Sequence, residues 1–150
     1  MSTGLVRSIA DLSNRWRNRF STSRPEHLQL GTRGEKLACR FLRRNGYKIL
    51  YRNFRGRTGG EIDIVCRDND TLVFVEVKTR TREDFGRPSA AVNRDKQKRI
   101  ARGGLAWLRL LDNPDIFFRF DVVEVVIAGG YKPRFELLRN AFELPEPYIY

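Results

Sequence analysis

Two neighbouring segments of strongly β-forming residues, joined by a short polar turn, constrain the fold of this chain most. They cover residues 60–65 and 72–78, and the turn between them has the sequence RDND. Strands this apolar do not carry charges at interior positions without a reason, because burying an unpaired carboxylate costs on the order of several kcal/mol. Yet the first segment contains Asp63, and the second contains Glu76 and Lys78. The segments are therefore predicted to form a β-hairpin in which these charges have a purpose.

The register of the predicted hairpin decides whether its three charged residues face the same way. A two-residue loop at 68–69 and a four-residue loop at 68–71 both make the numbers of opposing residues sum to an odd value. Asp63 and Glu76 then share a face, diagonally in the first case and directly opposite in the second. Lys78 follows Glu76 by two residues and joins them. The other face then carries an apolar layer of Ile62, Ile64, Val73, Val75 and Val77.

An Asp and a Glu that face one point supply the hard oxygen ligands that Mg²⁺ prefers. A cation shared between them also offsets the cost of burying both. With Lys78 beside them, the set fits metal-dependent cleavage of phosphodiesters. The pattern is loose, because Glu76 and Lys78 could also be a simple ion pair on a solvated strand face. The dipeptide Gly59-Gly60 lets the backbone approach a ligand closely and favours the functional interpretation.

The net charge of the chain indicates which class of molecule it binds. The 150 residues include 29 Lys and Arg against 18 Asp and Glu, a net charge of +11. Residues 78–102 alone hold nine basic and three acidic side chains. Such an excess predicts a nucleic acid as partner, with solubility or a membrane surface as the alternatives. No run of about 18 apolar residues occurs, so no transmembrane segment is predicted.

The few cysteines and the single histidine exclude other classes of site. Cys39 and Cys66 lack the spacing of a disulfide framework or a zinc site. They are predicted to be reduced core thiols in a reducing compartment, the cytoplasm. His27 is the one histidine and lies in the N-terminal region, which disfavours nucleases built on a histidine base.

The chain is predicted to consist of an N-terminal tail, residues 1–30, and one α/β domain, residues 31–150. The tail is basic, and its apolar residues recur at helical spacing: Leu5, Ile9, Leu12, Trp16 and Phe20. A break follows at residues 21–25. This amphipathic segment could dock on the domain, contact nucleic acid or lie on a lipid surface, and its composition is also typical of a transit peptide.

The domain is predicted to contain a mixed sheet flanked by two helices. Helices are expected over residues 32–45 and 93–111, and strands over 47–54, 60–65, 72–78, 117–127 and 134–138. The apolar stripe of the first helix is Leu37, Ala38, Phe41 and Leu42, and that of the second is Ile100, Gly103 or Gly104, Trp107 and Leu111. Glu35 lies at the edge of the first stripe, either as a first-turn partner of the helix dipole or as a further site residue.

Five motifs in order resemble the bacterial YraN family. They are the Gly-x-x-Gly-Glu helix start at 31–35, GGEIDIV at 59–65, FVEVKTR at 74–80, Lys96-Gln97, and RFDVV at 119–123. The resemblance covers about residues 31–143. That family is similar to endonucleases of the restriction-enzyme fold and, more distantly, to archaeal Holliday-junction resolvases. The resemblance therefore implies a restriction-endonuclease-like core with a mixed central sheet flanked by helices.

The same resemblance implies an activity and a site. The activity is hydrolysis of phosphodiester bonds by a structure-selective endonuclease that depends on Mg²⁺ or Mn²⁺, acts on branched or structured DNA and leaves 5′-phosphate ends. The metal ligands would be Asp63, Glu76 and the carbonyl of Val77. Lys78 would be the catalytic lysine, and Glu35 a supporting acid. Resolvase-like symmetry of the substrate would require a homodimer.

A wider set of residues is predicted to contact nucleic acid, mostly from the basic loops at 55–60 and 79–88: Arg55, Arg57, Arg80, Arg82, Lys96, Gln97 and Lys98. Asp121 matches a family position too, and an ion pair with Arg119 would account for it. Two alternatives to the endonuclease stay open. One is a non-catalytic nucleic-acid-binding module, and the other is a protein that docks on a partner or a membrane through its N-terminal segment.

Overall fold

The computed structural model describes residues 25–81 and 92–150 of the chain. The elements are α1 (Glu26–Arg44), β1 (Lys48–Arg55), β2 (Glu61–Asp68), β3 (Thr71–Arg80), α2 (Arg94–Leu110), β4 (Phe118–Val126) and β5 (Arg134–Phe142). The amphipathic segment predicted in residues 1–24 and the nucleic-acid contact predicted for Arg82 lie outside the described residues.

The five strands form one sheet in the order β1-β2-β3-β4-β5. Neighbouring strands are antiparallel except for β3 and β4, which are parallel and are connected through α2. A parallel pair needs such a crossover, whereas β1 to β3 form a meander with short turns. The predicted mixed sheet flanked by two helices is confirmed, and it is consistent with a restriction-endonuclease-like core. Within the described residues, neither helix is long and apolar enough to cross a membrane.

Each face of the sheet is covered by one helix. On the α1 face, Ala38 and Leu42 pack against Val73, Val75 and Val123. On the α2 face, a separate cluster holds Ile100, Ala101, Leu105, Leu108, Phe74, Phe120 and Val122. The central strand β3 is thus buried on both sides, as its continuous apolar run requires. Cys39 and Cys66 are free and buried in the α1 cluster, and burial raises the pKa of Cys66 to about 12, so the predicted core thiols are confirmed.

Three details of the predicted elements were wrong. Helix α1 begins at Glu26 rather than at Thr32, because Pro25 precedes its first turn and Leu30 packs against the core. Leu111 follows the end of α2 and is 47% exposed. Ile62 belongs to the α2 cluster and not to the face of Ile64. The ladder between β2 and β3 ends at Ile64, and only β1 pairs with β2 beyond it.

Two glycine contacts bring the helices unusually close to one end of the sheet. A Cβ on Gly34 of α1 would lie 1.8 Å from Oγ1 of Thr79 on β3. A Cβ on Gly60, where φ is +89°, would lie 2.3 Å from the backbone nitrogen of Gly103 on α2. Only glycine permits such contacts. Helix α1 therefore meets the sheet beside the last residues of β3, and α2 meets it beside Glu61. The predicted site lies at this end of the sheet.

Candidate active site

The hairpin has the register that places its two acids directly opposite each other. Arg67 pairs with Leu72, and the ladder continues to Ile64 and Val75, beyond which β2 and β3 separate. Asp63 and Glu76 are the next residues of the two strands. Oδ2 of Asp63 accepts a hydrogen bond of 2.8 Å from the backbone N–H of Val77. The acids therefore lie in the opening between the strands.

Glu76 is buried in this opening, with 4% of its surface exposed. Its Oε1 lies 3.6 Å from Nζ of Lys78 and 3.4 Å from Nζ of Lys96. Among the described residues, none donates a hydrogen bond to its Oε2. Burial is the main cause that raises the pKa of Glu76 to about 8, and the charge of Asp63 and a hydrogen bond with it add to the increase, while Lys96 and Lys78 oppose it.

This carboxyl group makes the stability of the metal-free protein depend on pH. The folded state holds the Glu76 proton up to about pH 8, whereas the unfolded chain releases it near the ordinary value of 4.5. The contribution of Glu76 to the free energy of unfolding therefore falls as pH rises through this window. We expect urea unfolding in EDTA to show a smaller loss of stability between pH 5 and pH 8 in Glu76→Gln than in the parent. Equal losses in the two proteins would contradict this assignment.

Glu35, on α1, interacts electrostatically with Asp63. The contact of Gly34 with Thr79 brings its neighbour Glu35 over the open end of the hairpin. Burial and then the charge of Asp63 raise the pKa of Glu35, while a hydrogen bond with Asn53 and the charge of Arg52 lower it. The electrostatic contact with Asp63 makes Glu35 part of the same site. It does not complete a compact cluster, since no group of three or more His, Cys, Asp or Glu side chains in residues 25–81 and 92–150 is arranged to hold a metal ion.

A further acid, Glu61, lies at the site and was not predicted from the sequence. Its Oε1 is 2.6 Å from Nζ of Lys96 and 3.4 Å from the guanidinium of Arg99, so two residues of α2 meet it. These contacts lower the pKa of Glu61, with the hydrogen bond from Lys96 as the largest cause. A signal was available, because Glu61 precedes Asp63 by two residues, and a regular strand would give both side chains the same orientation.

The donors at the opening fit a divalent cation. Two opposed carboxyl groups are present, and no residue in the described part of the chain donates a hydrogen bond to Oε2 of Glu76. The N–H of Val77 points toward Asp63. The N–H and C=O groups of one strand residue point to the same side, so the carbonyl of Val77 is directed toward the opening as well. Two carboxylates and one carbonyl are oxygen ligands of the kind that Mg²⁺ accepts, with water completing its shell. The donor set thus agrees with the predicted ligands.

Some of the residues predicted to contact nucleic acid are exposed to solvent, and others form ion pairs or hydrogen bonds within the domain. Arg55 and Arg57 are exposed at the loop before β2. Arg80 forms an ion pair of 3.4 Å with Glu124. The remaining three belong to the start of α2: Lys96 binds the site acids, Gln97 donates a hydrogen bond of 3.1 Å to the carbonyl of Val92, and Lys98 is partly buried.

Asp121 belongs to a separate polar cluster rather than to the site. It is fully buried and accepts hydrogen bonds from Arg119 at 2.9 Å and from the backbone N–H of Asn140 at 2.8 Å. The same guanidinium also binds Asp68 and the hydroxyl of Tyr47. The ion pair predicted between Arg119 and Asp121 is confirmed, and the cluster links β4 to Asp68 at the end of β2 and to Asn140 on β5.

The sequence model of the uncharacterised protein family UPF0102 matches residues 34–125, a range that includes every acid of the site. UPF0102 proteins of Geobacter sulfurreducens and Geobacter metallireducens are each 51% identical over 115 residues, which is 77% of this chain and 89% and 93% of theirs. A UPF0102 protein of Nocardia farcinica is 47% identical over 113 residues, 75% of this chain and 88% of its own length.

Proposed function

This chain belongs to the uncharacterised protein family UPF0102, the bacterial YraN family, and on that premise we propose that it is a Mg²⁺-dependent endonuclease. Its membership confirms the resemblance read from the five motifs. The proposed reaction is hydrolysis of phosphodiester bonds in branched or structured DNA, with Mn²⁺ as an alternative ion. We propose that it acts in the cytoplasm, because cysteines such as the free Cys39 and Cys66 are kept reduced there.

One observation carries the proposal. Glu76 is buried opposite Asp63, and its Oε2 has no donor among the described residues. An acid in that position is destabilising unless it binds a proton or a cation, because it has lost its hydration. A purely structural hairpin would place an apolar side chain there, as it does at the neighbouring Val75. A divalent cation bound by Glu76 and Asp63 accounts for both acids.

The residues of the site have separate tasks in the proposed reaction. Asp63, Glu76 and the carbonyl of Val77 would hold the ion. When bound, Mg²⁺ would lower the pKa of water and offset the charge that develops on the phosphoryl oxygens. Lys78, whose ammonium lies 3.6 Å from Glu76, orients the attacking water and stabilises the developing charge. Glu35, which interacts electrostatically with Asp63, would help to hold the water beside it.

The exposed basic loop before β2 supports a role in holding the phosphate backbone. Arg55 and Arg57 are exposed there, and the adjacent Gly59 packs near the guanidinium of Arg102. These cations lie on the segment that leads directly into the strand of Asp63. The loop is therefore placed to bind the phosphates that flank a bond in the site, without contacts that read base sequence.

We expect binding of nucleic acid to depend steeply on salt and weakly on sequence, because the contacts are to phosphates. For six to ten such contacts, affinity measured by fluorescence anisotropy should fall about 10³-fold or more between 50 and 200 mM salt. Arg57→Ala should reduce the salt slope by about one, while Lys132→Ala, which removes a charge from the exposed turn before β5, should leave it unchanged. A slope near zero, or strong preference among duplexes of equal shape, would refute phosphate-directed binding.

A non-catalytic binding module is the second candidate, favoured by one observation. The described residues contain no group of three acidic, histidine or cysteine side chains arranged to hold a metal. Incubation with branched, flapped, single-stranded and duplex substrates in Mg²⁺, Mn²⁺ or EDTA separates the candidates. The endonuclease proposal requires 5′-phosphate products that appear with metal and not with EDTA. Salt-sensitive binding without cleavage of any substrate would establish the binding module.

A further inference from the structure

Lys96 has a fixed position between two acids of the site. Its ammonium lies 2.6 Å from Oε1 of Glu61 and 3.4 Å from Oε1 of Glu76, and 20% of its side chain is exposed. Its backbone N–H donates a hydrogen bond of 2.9 Å to the side chain of Asn93, which caps α2. Seven residues further along the same helix, Gly103 packs against the backbone of Glu61. Cap and helix contact together hold the ammonium over the opening of the hairpin.

A purely structural ion pair does not account for this arrangement. Glu61 already has a second cation, Arg99, at 3.4 Å, so it does not require Lys96 alone. The first turn of a helix is also an unfavourable place for a positive side chain, because the helix dipole is positive there. Both Lys96 and Arg99 contact Glu61, but of these two only Lys96 also contacts Glu76. What distinguishes Lys96 is therefore its charge beside the buried acid.

That charge competes with a divalent cation. Lys96 and Lys78 both lie on Oε1 of Glu76, and the opposite oxygen, Oε2, is left without a donor among the described residues. In the metal-free protein, the two ammonium groups offset the negative charge of Glu76 whenever this carboxyl group is ionised. The same two charges repel an ion that approaches Oε2, since a divalent cation feels each of them at only a few ångströms through a medium of low dielectric.

We infer that Lys96 is a positioning residue that couples occupation of the metal site to binding of the substrate phosphate. In the free protein, the ammonium of Lys96 lies beside Glu76 and weakens metal binding by this carboxyl group. A phosphate that enters the opening attracts the ammonium away from Glu76, with Glu61 keeping it at the site, and the carboxylate then binds the ion. The inference rests on the proposed function and adds an order of events to it: metal binds tightly only with nucleic acid present.

Calorimetric titration of the full chain with Mn²⁺, without nucleic acid, tests the first half of this inference. Lys96→Met should bind Mn²⁺ on the order of tenfold more tightly than the parent, because a repelling charge is gone. Lys96→Arg keeps the charge and should bind like the parent. Lys96→Gln provides a second neutral variant should the Met variant fail to fold. Lys48→Met, which removes an exposed lysine near the far end of the hairpin, should have no effect.

The second half is tested by repeating the titrations with a phosphorothioate duplex oligonucleotide. The oligonucleotide should increase the affinity of the parent for Mn²⁺ by a larger factor than that of Lys96→Met. Unchanged or weaker Mn²⁺ binding in both neutral variants, or an equal gain from the oligonucleotide in parent and variant, would overturn the inference while leaving the proposed function intact. A parent protein that binds no Mn²⁺ under either condition would overturn both.

Discussion

Replacing either opposed acid is expected to abolish cleavage while the protein stays folded. Asp63→Asn and Glu76→Gln each remove one ligand charge, and the stabilisation of several kcal/mol that a metal supplies corresponds to a loss of rate of about 10³-fold or more. Binding of nucleic acid should be equal or tighter, because a negative charge that meets the phosphate is gone. Cleavage rates in Mg²⁺ and anisotropy binding curves measure the two effects separately.

The matched control is a carboxylate on the same hairpin but outside the opening. Asp70 lies exposed in the turn between β2 and β3, so Asp70→Asn makes the same change of charge without touching the site. It should cleave like the parent. Retention of most of the activity in Glu76→Gln would show that the buried acid is structural, and the endonuclease proposal would lose its main support.

The second large effect is expected at Lys78. Lys78→Ala should keep the metal and lose about 10²-fold or more in cleavage rate, the usual cost of removing one group that stabilises developing charge. Lys78→Arg should rescue poorly, because a broad guanidinium cannot take the place of a compact ammonium at the attacking water. Single-turnover cleavage and Mn²⁺ calorimetry on the same preparations distinguish loss of chemistry from loss of metal.

The competing account of Lys78 predicts a different pattern. If Lys78 only paired with Glu76, Arg would substitute well and Ala would cost about 0–1 kcal/mol, as for exposed ion pairs. The structure already weakens the assumption of a solvated face, since the Glu76 partner is 4% exposed. Near-parent cleavage by Lys78→Arg would nevertheless assign Lys78 a structural role, whatever the acids do. Lys48→Ala serves as the control for loss of a lysine from the sheet.

The centre of the site was predictable because it depends on parity. Any turn that makes opposing numbers sum to an odd value puts Asp63 and Glu76 on one face, and the observed pairing of Arg67 with Leu72 satisfies this condition. The same argument failed for Ile62 because it assumes that pairing continues along the whole strand. The ladder with β3 ends at Ile64, and only β1 pairs with β2 beyond it, where Ile62 faces the α2 cluster.

Contacts between distant segments could not be predicted in the same way. Lys96 matched a motif, but its contact with Glu61 spans 35 residues and depends on how closely Gly103 lets α2 approach β2. Glu35 lies near Asp63 because Gly34 lets α1 approach Thr79. Neither distance is encoded in a local pattern. Periodicity located the helices, but how closely each helix approaches the sheet follows from close contacts at single glycines.

Calorimetric titration of the parent, Asp63→Asn and Glu76→Gln with Mn²⁺, in the presence of a phosphorothioate duplex, tests the central claim most directly. It measures whether the two opposed acids hold a divalent cation and does not require the natural substrate. The account predicts one site in the parent and a loss of affinity of at least about tenfold in each variant, with Asp70→Asn unchanged. Variants that bind Mn²⁺ with the affinity of the parent would contradict it, because the ion would then be held elsewhere.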